Sequence, residues 1–417
     1  MSDAALAERP ADAANRPYVA PLAGTPLERI ERLRDVIVAG GDKAQEMRRL
    51  PDDTVEALID EGMFRFAQPT ELGGENASAC ETVAILEAMA AIDASVAWNV
   101  MLGSEINAMA AGGMAWGLAE EIYLDNPRVV MCGGGGPGST PSYAIEQADG
   151  SVSVWGETTF ISGVHNAEWC FMAAPLVKQG EEHTANPLAA RMWFLHKSQY
   201  EIIDVWNMAG LRGSGSNTVR ATGAVVPAKY AGVQLVTLPA LYDNPVFRIP
   251  VPLRLSYNKV AIALGVARGA LDGFVQVASN KVPFLSGSKL TERPIAQHRM
   301  GEMEGKYRAA RAYVMEAMRE VEEELETGAE APGARTTQNA RLACTTAPTP
   351  AWRSSTYCIT PPAPAACSCP ARSSGACATL TAAPPTAGSR TPCSPTSARS
   401  CLATKPAPSL RVPADLG

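Results

Sequence analysis

Two glycine-studded segments carry the residue types best suited to hold a flat polar ring. The first runs Gly156-Glu157-Thr158-Thr159-Phe160-Ile161-Ser162-Gly163-Val164-His165-Asn166-Ala167-Glu168-Trp169. The second runs Met208-Ala209-Gly210-Leu211-Arg212-Gly213-Ser214-Gly215-Ser216-Asn217-Thr218-Val219. Each sets small residues and hydroxyls beside an aromatic ring or an arginine. Glycine lacks the Cβ that would keep a ligand off backbone and hydroxyl donors, so such loops admit a planar heterocycle closely. Taken singly, each segment also suits an ordinary turn of a β-barrel.

Four side-chain groups nearby can do chemistry. His165 lies inside the first segment, and histidine is the usual acid–base group near neutrality. Glu105 lies in an otherwise uncharged helical stretch after Trp98, where a carboxylate is either paired or functional. Arg212 with Ser214 and Ser216 can hold a phosphate through charge-assisted bonds, or form an exposed barrel-edge loop. Ser162 is a ligand donor or a plain turn serine. His183, His196 and His298 stand in polar, strand-end or charged contexts and are expected to be structural or exposed. No His, Cys and carboxylate spacing before residue 343 suggests a metal. Cys367-Ser368-Cys369 lacks a second pair at zinc-finger spacing.

The elements that must position these groups follow from pattern. Thr25-Pro26-Leu27-Glu28 is a capping box with proline at the first helical position, followed by an apolar face of Leu27, Ile30, Leu33 and Ile37. Further helices are expected from Asp52 or Asp53 to Gly62, from Ser78 to Ala94 and from Ala94 to Ala111. The last is apolar on all sides and therefore buried. From about residue 127 the period changes. Gly133 to Gly138 suggests a loop. Tyr143–Glu146 and Val152–Trp155 flank Asp149-Gly150 as a hairpin. Cys170–Val177, Ala190–Leu195 and Ala221–Val226 suggest strands, which together make a β-barrel or sandwich. Helix returns over Leu255–Val277 and Ile295–Leu325.

Composition bounds the rest. A chain of 417 residues suits about two or three domains with a large core. The net charge of −7 argues against nucleic acid and anionic membranes as partners. No apolar run is expected to span a bilayer, and no basic-then-apolar leader opens the chain, so a cytoplasmic location is expected. Cys80, Cys132 and Cys170 are scattered, whereas the other cysteines lie from Cys344 onward. That is no disulfide framework.

These features together resemble the acyl-CoA dehydrogenase superfamily. The resemblance covers residues 25–343 and divides the chain as an α+β protein. Residues 1–24 are expected to be disordered, 25–126 an N-terminal α-helical domain, 127–240 a middle β-barrel, and 241–344 a C-terminal helical bundle. Gly62-Met63-Phe64, with Pro69 and Gly73-Gly74, resembles the early family signature. Phe160-Ile161-Ser162 stands where the family has its flavin-contacting W-I-T/S. Gly210-Leu211-Arg212-Gly213-Ser214-Gly215-Ser216 is similar to the GMRGTGS of the flavin-dependent monooxygenase branch.

That resemblance implies the oxygenase component of a two-component monooxygenase. It would use reduced FAD or FMN from a separate flavin reductase to hydroxylate an aromatic or polyketide-type ring, as a homodimer or homotetramer. Phe160, Ser162, Gly163, Arg212, Ser214 and Ser216 would bind the flavin, with His165 and Glu105 as catalytic candidates. Ser162 would bond near the flavin N5 and slow loss of peroxide. Ser162 and Phe160 should then line the largest pocket between barrel and helices. True dehydrogenases of the family need a carboxylate base, and the helix start at Arg254-Leu255-Ser256-Tyr257 offers none. An acyl-CoA dehydrogenase and a catalytically dead scaffold are the competing readings.

At about residue 345 the chain changes character. Residues 345–417 hold thirteen prolines and one acidic residue, Asp415. Such a composition is what GC-rich codons give out of frame. A one-base shift permits Ser355 through Thr379 to spell a segment ending SSPLERC-x-RD, similar to the C-terminal active-site region of the monooxygenase branch. The expectation is a frameshifted, irregular tail replacing the last bundle helices. A natural disordered Pro/Ala-rich tail is the alternative.

Overall fold

The capping box at Thr25 forms as its sequence requires. The Thr25 hydroxyl accepts the Glu28 amide and the Glu28 carboxylate accepts the Thr25 amide, opening α1 (Pro26–Met47). The computed structural model describes residues 22–114, 116–177, 190–230, 232–234 and 242–348. All of them fall in the first of two units of the chain, Met1–Ala382. His183 and almost all of the expected tail lie outside the described residues.

Helix α2 (Asp52–Asp60) follows. A second capping box, Ser78 with Glu81, opens α3 (Ala79–Ile92). Asp93 caps α4 (Ala94–Ala111), which is buried nearly throughout. A short helix, α5 (Trp116–Ala119), runs into a wider turn over Glu120–Leu124.

The middle of the chain is a single nine-stranded curled sheet. Its strands are β1 (Met131–Gly134), β2 (Gly136–Pro137), β3 (Tyr143–Glu146), β4 (Val152–Ile161), β5 (Trp169–Val177), β6 (Ala190–His196), β7 (Glu201–Ile203), β8 (Asn217–Val226) and β9 (Val233–Gln234). The path β7-β8-β4-β3-β5-β6-β9 carries β1 on β5 and β2 on β4. The hairpin at Asp149-Gly150 is present, with Tyr143 opposite Trp155 and Glu146 opposite Val152. The Gly133–Gly138 segment is not merely a loop. Met131–Gly134 pairs in parallel with Trp169–Met172, and Gly136-Pro137 pairs with β4. Glycine weakens a lone strand, but here neighbouring backbone supplies the partners.

The C-terminal helices are α6 (Val251–Asn280), α7 (Pro294–Glu326) and α8 (Ala334–Thr346). Helix α6 is long and apolar enough to cross a membrane, contrary to the sequence expectation. Here it is a core helix, with Leu253, Tyr257, Val260, Leu264 and Leu271 buried against its neighbours. It packs most extensively on α3. A Cβ on Gly265 would lie 2.3 Å from the Glu87 carbonyl oxygen, and one on Gly269 would lie 2.5 Å from that of Ala91. The glycines therefore permit the close approach of the two helices. Glu87 of α3 also accepts bonds from Tyr307 and Arg311 of α7. Helix α8 continues through Thr346, and Ala347 is buried, so helical order passes the compositional boundary at 344.

Candidate functional site

The two glycine-bearing loops meet at the N-terminal half of α4. Strand β4 ends at Ile161, and its register against β8 shifts between Thr158 and Ile161. The irregularity swings Phe160 outward with φ +61°, in the left-handed region that bulky side chains avoid. The Phe160 ring is 68 % exposed and meets Trp206 edge to face at 6.3 Å between centroids. Val205 and Met208, on the same segment as Trp206, are also exposed. Leu211 in the second loop is also left-handed, at φ 50°. Strain of this kind persists where surrounding structure over-determines it, commonly at binding sites.

Ser162 points the other way, into the protein. The Trp98 indole N–H donates to its hydroxyl at 3.1 Å. Ser162 Oγ lies 2.7 Å from Ser216 Oγ, which lies 2.6 Å from Ser214 Oγ. All three serines are buried. Gly163 closes the seam: its amide donates to the Ser214 carbonyl at 2.9 Å. A Cβ there would stand 2.9 Å from Asn99 Oδ1, and φ is +73°. Asn99 in turn donates to the Ser95 and Gly213 carbonyls. Behind Ser162 is a cavity of about 10 Å³ lined by Leu50, Phe64, Met131, Cys132 and Gly163 among others. That volume is about the minimum for one water.

The expectation that Phe160 and Ser162 share the largest cavity is not met. Phe160 lies on the surface and Ser162 borders a small cavity. A larger cavity of about 320 Å³ opens between the start of α3 and the end of α7, lined by Asn76, Ser78, Asn244, Glu322 and Leu325 among others. None of the sequence-identified site residues borders it. Two residues apart, Phe160 and Ser162 would share a face of a regular strand, and the bulge at the end of β4 separates them.

Arg212 and its serines also part company. Arg212 Nε donates to the Gln45 carbonyl at 2.9 Å, and Nη1 reaches Asn207 and the Met208 carbonyl. The guanidinium thus closes the second loop onto the end of α1, while Ser214 and Ser216 face inward. His165 is an exposed residue whose ring edge is covered, with Nε2 at 2.8 Å from Asn217 Nδ2. Burial, then the neighbouring Arg49, hold its imidazole below the ordinary range, with Asp204 opposing.

Glu105 lies farther along α4, on the face that carries Trp98. Both its oxygens are engaged, by Lys259 Nζ at 2.5 and 2.8 Å and by Asn258 Nδ2 at 2.6 Å. It borders a cavity of about 20 Å³ with Thr82, Ser104, Phe247, Arg254 and Tyr257. Burial depresses the pKa of Arg254, whose guanidinium lies 5.4 Å from the Phe247 ring centroid. Sequence reasoning missed Asn99, Asn217 and Lys259. The spacing of Trp98 and Glu105 on one helical face was the available signal for their shared orientation.

The family model for the acyl-CoA dehydrogenase N-terminal domain matches residues 32–116, and that for the C-terminal domain matches residues 258–361. The flavin-dependent monooxygenase oxygenase subunit HsaA of Rhodococcus jostii (strain RHA1) is 26 % identical over 289 residues, which is 66 % of this chain and 72 % of that protein. HsaA of Mycobacterium tuberculosis (strain CDC 1551 / Oshkosh) is 29 % identical over 293 residues, 66 % of this chain and 69 % of its own. The crystal structure of the M. tuberculosis HsaA monooxygenase superposes with a TM-score of 0.74 at 23 % identity, covering 87 % of this chain and 92 % of that one. The helical, sheet and helical thirds and these matches agree: the chain is similar to acyl-CoA dehydrogenases in its N-terminal and C-terminal helical domains, and to oxygenase components of flavin-dependent monooxygenases over about two thirds of its length.

Proposed function

We infer that the chain is a flavin-dependent oxidoreductase, the oxygenase component of a two-component monooxygenase acting on an aromatic or polyketide-type substrate in the cytoplasm. A separate flavin reductase would supply reduced FAD or FMN. The observation that carries this reading is the hydroxyl chain Ser214–Ser216–Ser162, seated where β4 bulges to expose Phe160. Ser162 accepts from Trp98. With the serines donating in the order Ser214, Ser216, Ser162, the hydroxyl hydrogen of Ser162 is left without an acceptor among them and is free to donate.

Part of this arrangement suits a flavin. Phe160 and Trp206 offer an apolar face for the ring, while Ser162 and Arg212 hold from behind the two loops that carry that face. When bound, reduced flavin supplies the electrons that activate dioxygen for transfer to substrate. The protein's part is to orient and to keep water out. The cavity behind Ser162 has no room for a water chain, so a proton held at Ser162 Oγ is not exchanged from within. His165 is committed to Asn217 and serves position rather than proton transfer.

Glu105 is the carboxylate that α4 brings to the start of α6, and it bears on the dehydrogenase alternative. Lys259 and Asn258 occupy both its oxygens, which suits an anchor better than a base. Mixing the protein with photoreduced FMN or FAD and oxygen, with a phenol present, tests the assignment. Slowed flavin reoxidation and a hydroxylated product are expected. Bleaching of oxidised FAD by an acyl-CoA would transfer the assignment to a dehydrogenase, and the absence of any flavin binding would leave a scaffold.

Two further parts belong to this reading. Helices α6 and α7 pack together, and their connection exposes Phe284 and Leu285 at 93 % and 92 %. A second copy of the chain is proposed to cover it, as a homodimer or homotetramer. A strictly monomeric species by light scattering at micromolar concentration would contradict this. The tail is proposed to be an out-of-frame reading of a lost bundle terminus. Helix α8, which runs through Thr346, is the last described element before it. Codons unable to spell the restored segment would end that proposal.

A further inference from the structure

Asn217 Oδ1 accepts two backbone amides, Val205 N–H at 2.9 Å and Trp206 N–H at 2.8 Å. Those two bonds fix which end of the amide is oxygen, because the reversed amide would set N–H against N–H. Nδ2 is therefore the group facing His165, and it donates to Nε2 at 2.8 Å. The histidine nitrogen must then be an acceptor and carry no proton. The segment held by these bonds bears the Trp206 ring that abuts Phe160. Its other ties are the Arg48 guanidinium on Asp204 and on the Trp206 carbonyl, and the Trp206 indole on the Leu211 carbonyl.

We propose that His165 is a positioning residue that latches the segment Asp204–Leu211, and with it the aromatic face of the site, through Asn217 only while its Nε2 is unprotonated.

Protonation puts Nε2–H against Nδ2–H. Rotating the Asn217 amide relieves that contact but turns the same N–H₂ onto the Val205 and Trp206 amides, which then lose their acceptor. Either arrangement sets donor against donor and breaks the hold on the segment. Asn217 is 2 % exposed, so its own amide finds no water in exchange. The charges around the ring come from each element packed on it. Arg49 and Arg48, at the end of α1, disfavour the imidazolium, while Asp204 of the latched segment and Asp52 of α2 favour it. Asp52 is itself engaged by Arg49 at 2.6 Å and by Asn166 at 3.2 Å, which blunts its pull. With burial as the first cause, the folded pKa lies below the unfolded one. A histidine depressed in this sense contributes its full stabilisation above its unfolded value of about 6.5, and loses it as pH falls through the folded value.

The inference rests on the flavin reading only for the consequence at the site. The latch itself is measured without flavin, by hydrogen exchange at the Val205 and Trp206 amides of the full chain between pH 5 and 8, corrected for intrinsic rates. Protection should be level above about pH 7 and fall by up to about tenfold per pH unit below the ordinary histidine range. His165→Gln supplies a non-titrating acceptor and should keep protection level across the range. His165→Ala should lack it at every pH. A level profile in the unmodified protein, or an undiminished slope in His165→Gln, overturns the latch. Dissociation constants for photoreduced FMN over the same range provide the second arm. Affinity that weakens with the loss of protection ties the latch to the site. If protection moves and affinity does not, the latch stands and the placement of flavin against Trp206 fails.

Discussion

Helix α4 ties the N-terminal helices to the rest of the protein at two points on one face, and the two ties differ in kind. At Trp98 the tie is neutral: an indole N–H on Ser162, continued through Ser216 and Ser214 of the sheet loops. At Glu105, about two helical turns on, it is charged: a buried carboxylate on Lys259 and Asn258 of α6. Hydroxyl chains can reverse donor and acceptor at little cost and so can adjust to a ligand. A buried ion pair cannot, because either charge left alone is stranded in a poor solvent. The charged end therefore fixes the helical frame, and the neutral end is suited to be the site.

The sharpest way to break this comparison is Lys259→Met. It leaves the Glu105 carboxyl group buried and held by Asn258 alone, and should destabilise the protein by about 2–3 kcal/mol, the lower end reflecting the partial exposure of Lys259. Adding Glu105→Gln should recover most of that loss in urea unfolding. A Lys259→Met protein as stable as its parent would deprive the charged tie of its role.

Ser162→Ala should cost less, about 1–2 kcal/mol, since it leaves Trp98 and Ser216 each short of one partner. Its larger consequence is expected in turnover, as a higher ratio of hydrogen peroxide to hydroxylated product. An unchanged ratio would remove Ser162 from the flavin and leave it a structural serine.

Phe160→Gly should change stability least, by no more than about 0.5 kcal/mol. Relief of its left-handed backbone offsets the lost edge contact with Trp206. Affinity for reduced flavin should nonetheless fall about tenfold, equivalent to roughly 1.4 kcal/mol. Unaltered affinity, measured by titration with photoreduced FMN, would mean that the exposed aromatic face is not the ring's platform.

Local chemistry was legible in the sequence alone. The capping boxes at Thr25 and Ser78, the hairpin at Asp149-Gly150 and the extents of α4 and α7 depend on groups a few residues apart, so their spacing is enough to specify them. The two motif loops were legible for the same reason, because glycine and hydroxyl residues limit what their backbone can do. Tertiary structure decided where the side chains in those loops point. Whether Glu105 was paired depended on Lys259, on a helix far along the chain. That Arg212 turns to Gln45 while Ser216 turns to Ser162 depended on how β8 registers against β4. The exposure of Phe160 came from one bulge, and the strands at Met131 and Gly136 from partners in β5 and β4. A hydrogen bond between distant segments is set by the packing that brings them together, and residue type records only that each side chain is able to make one.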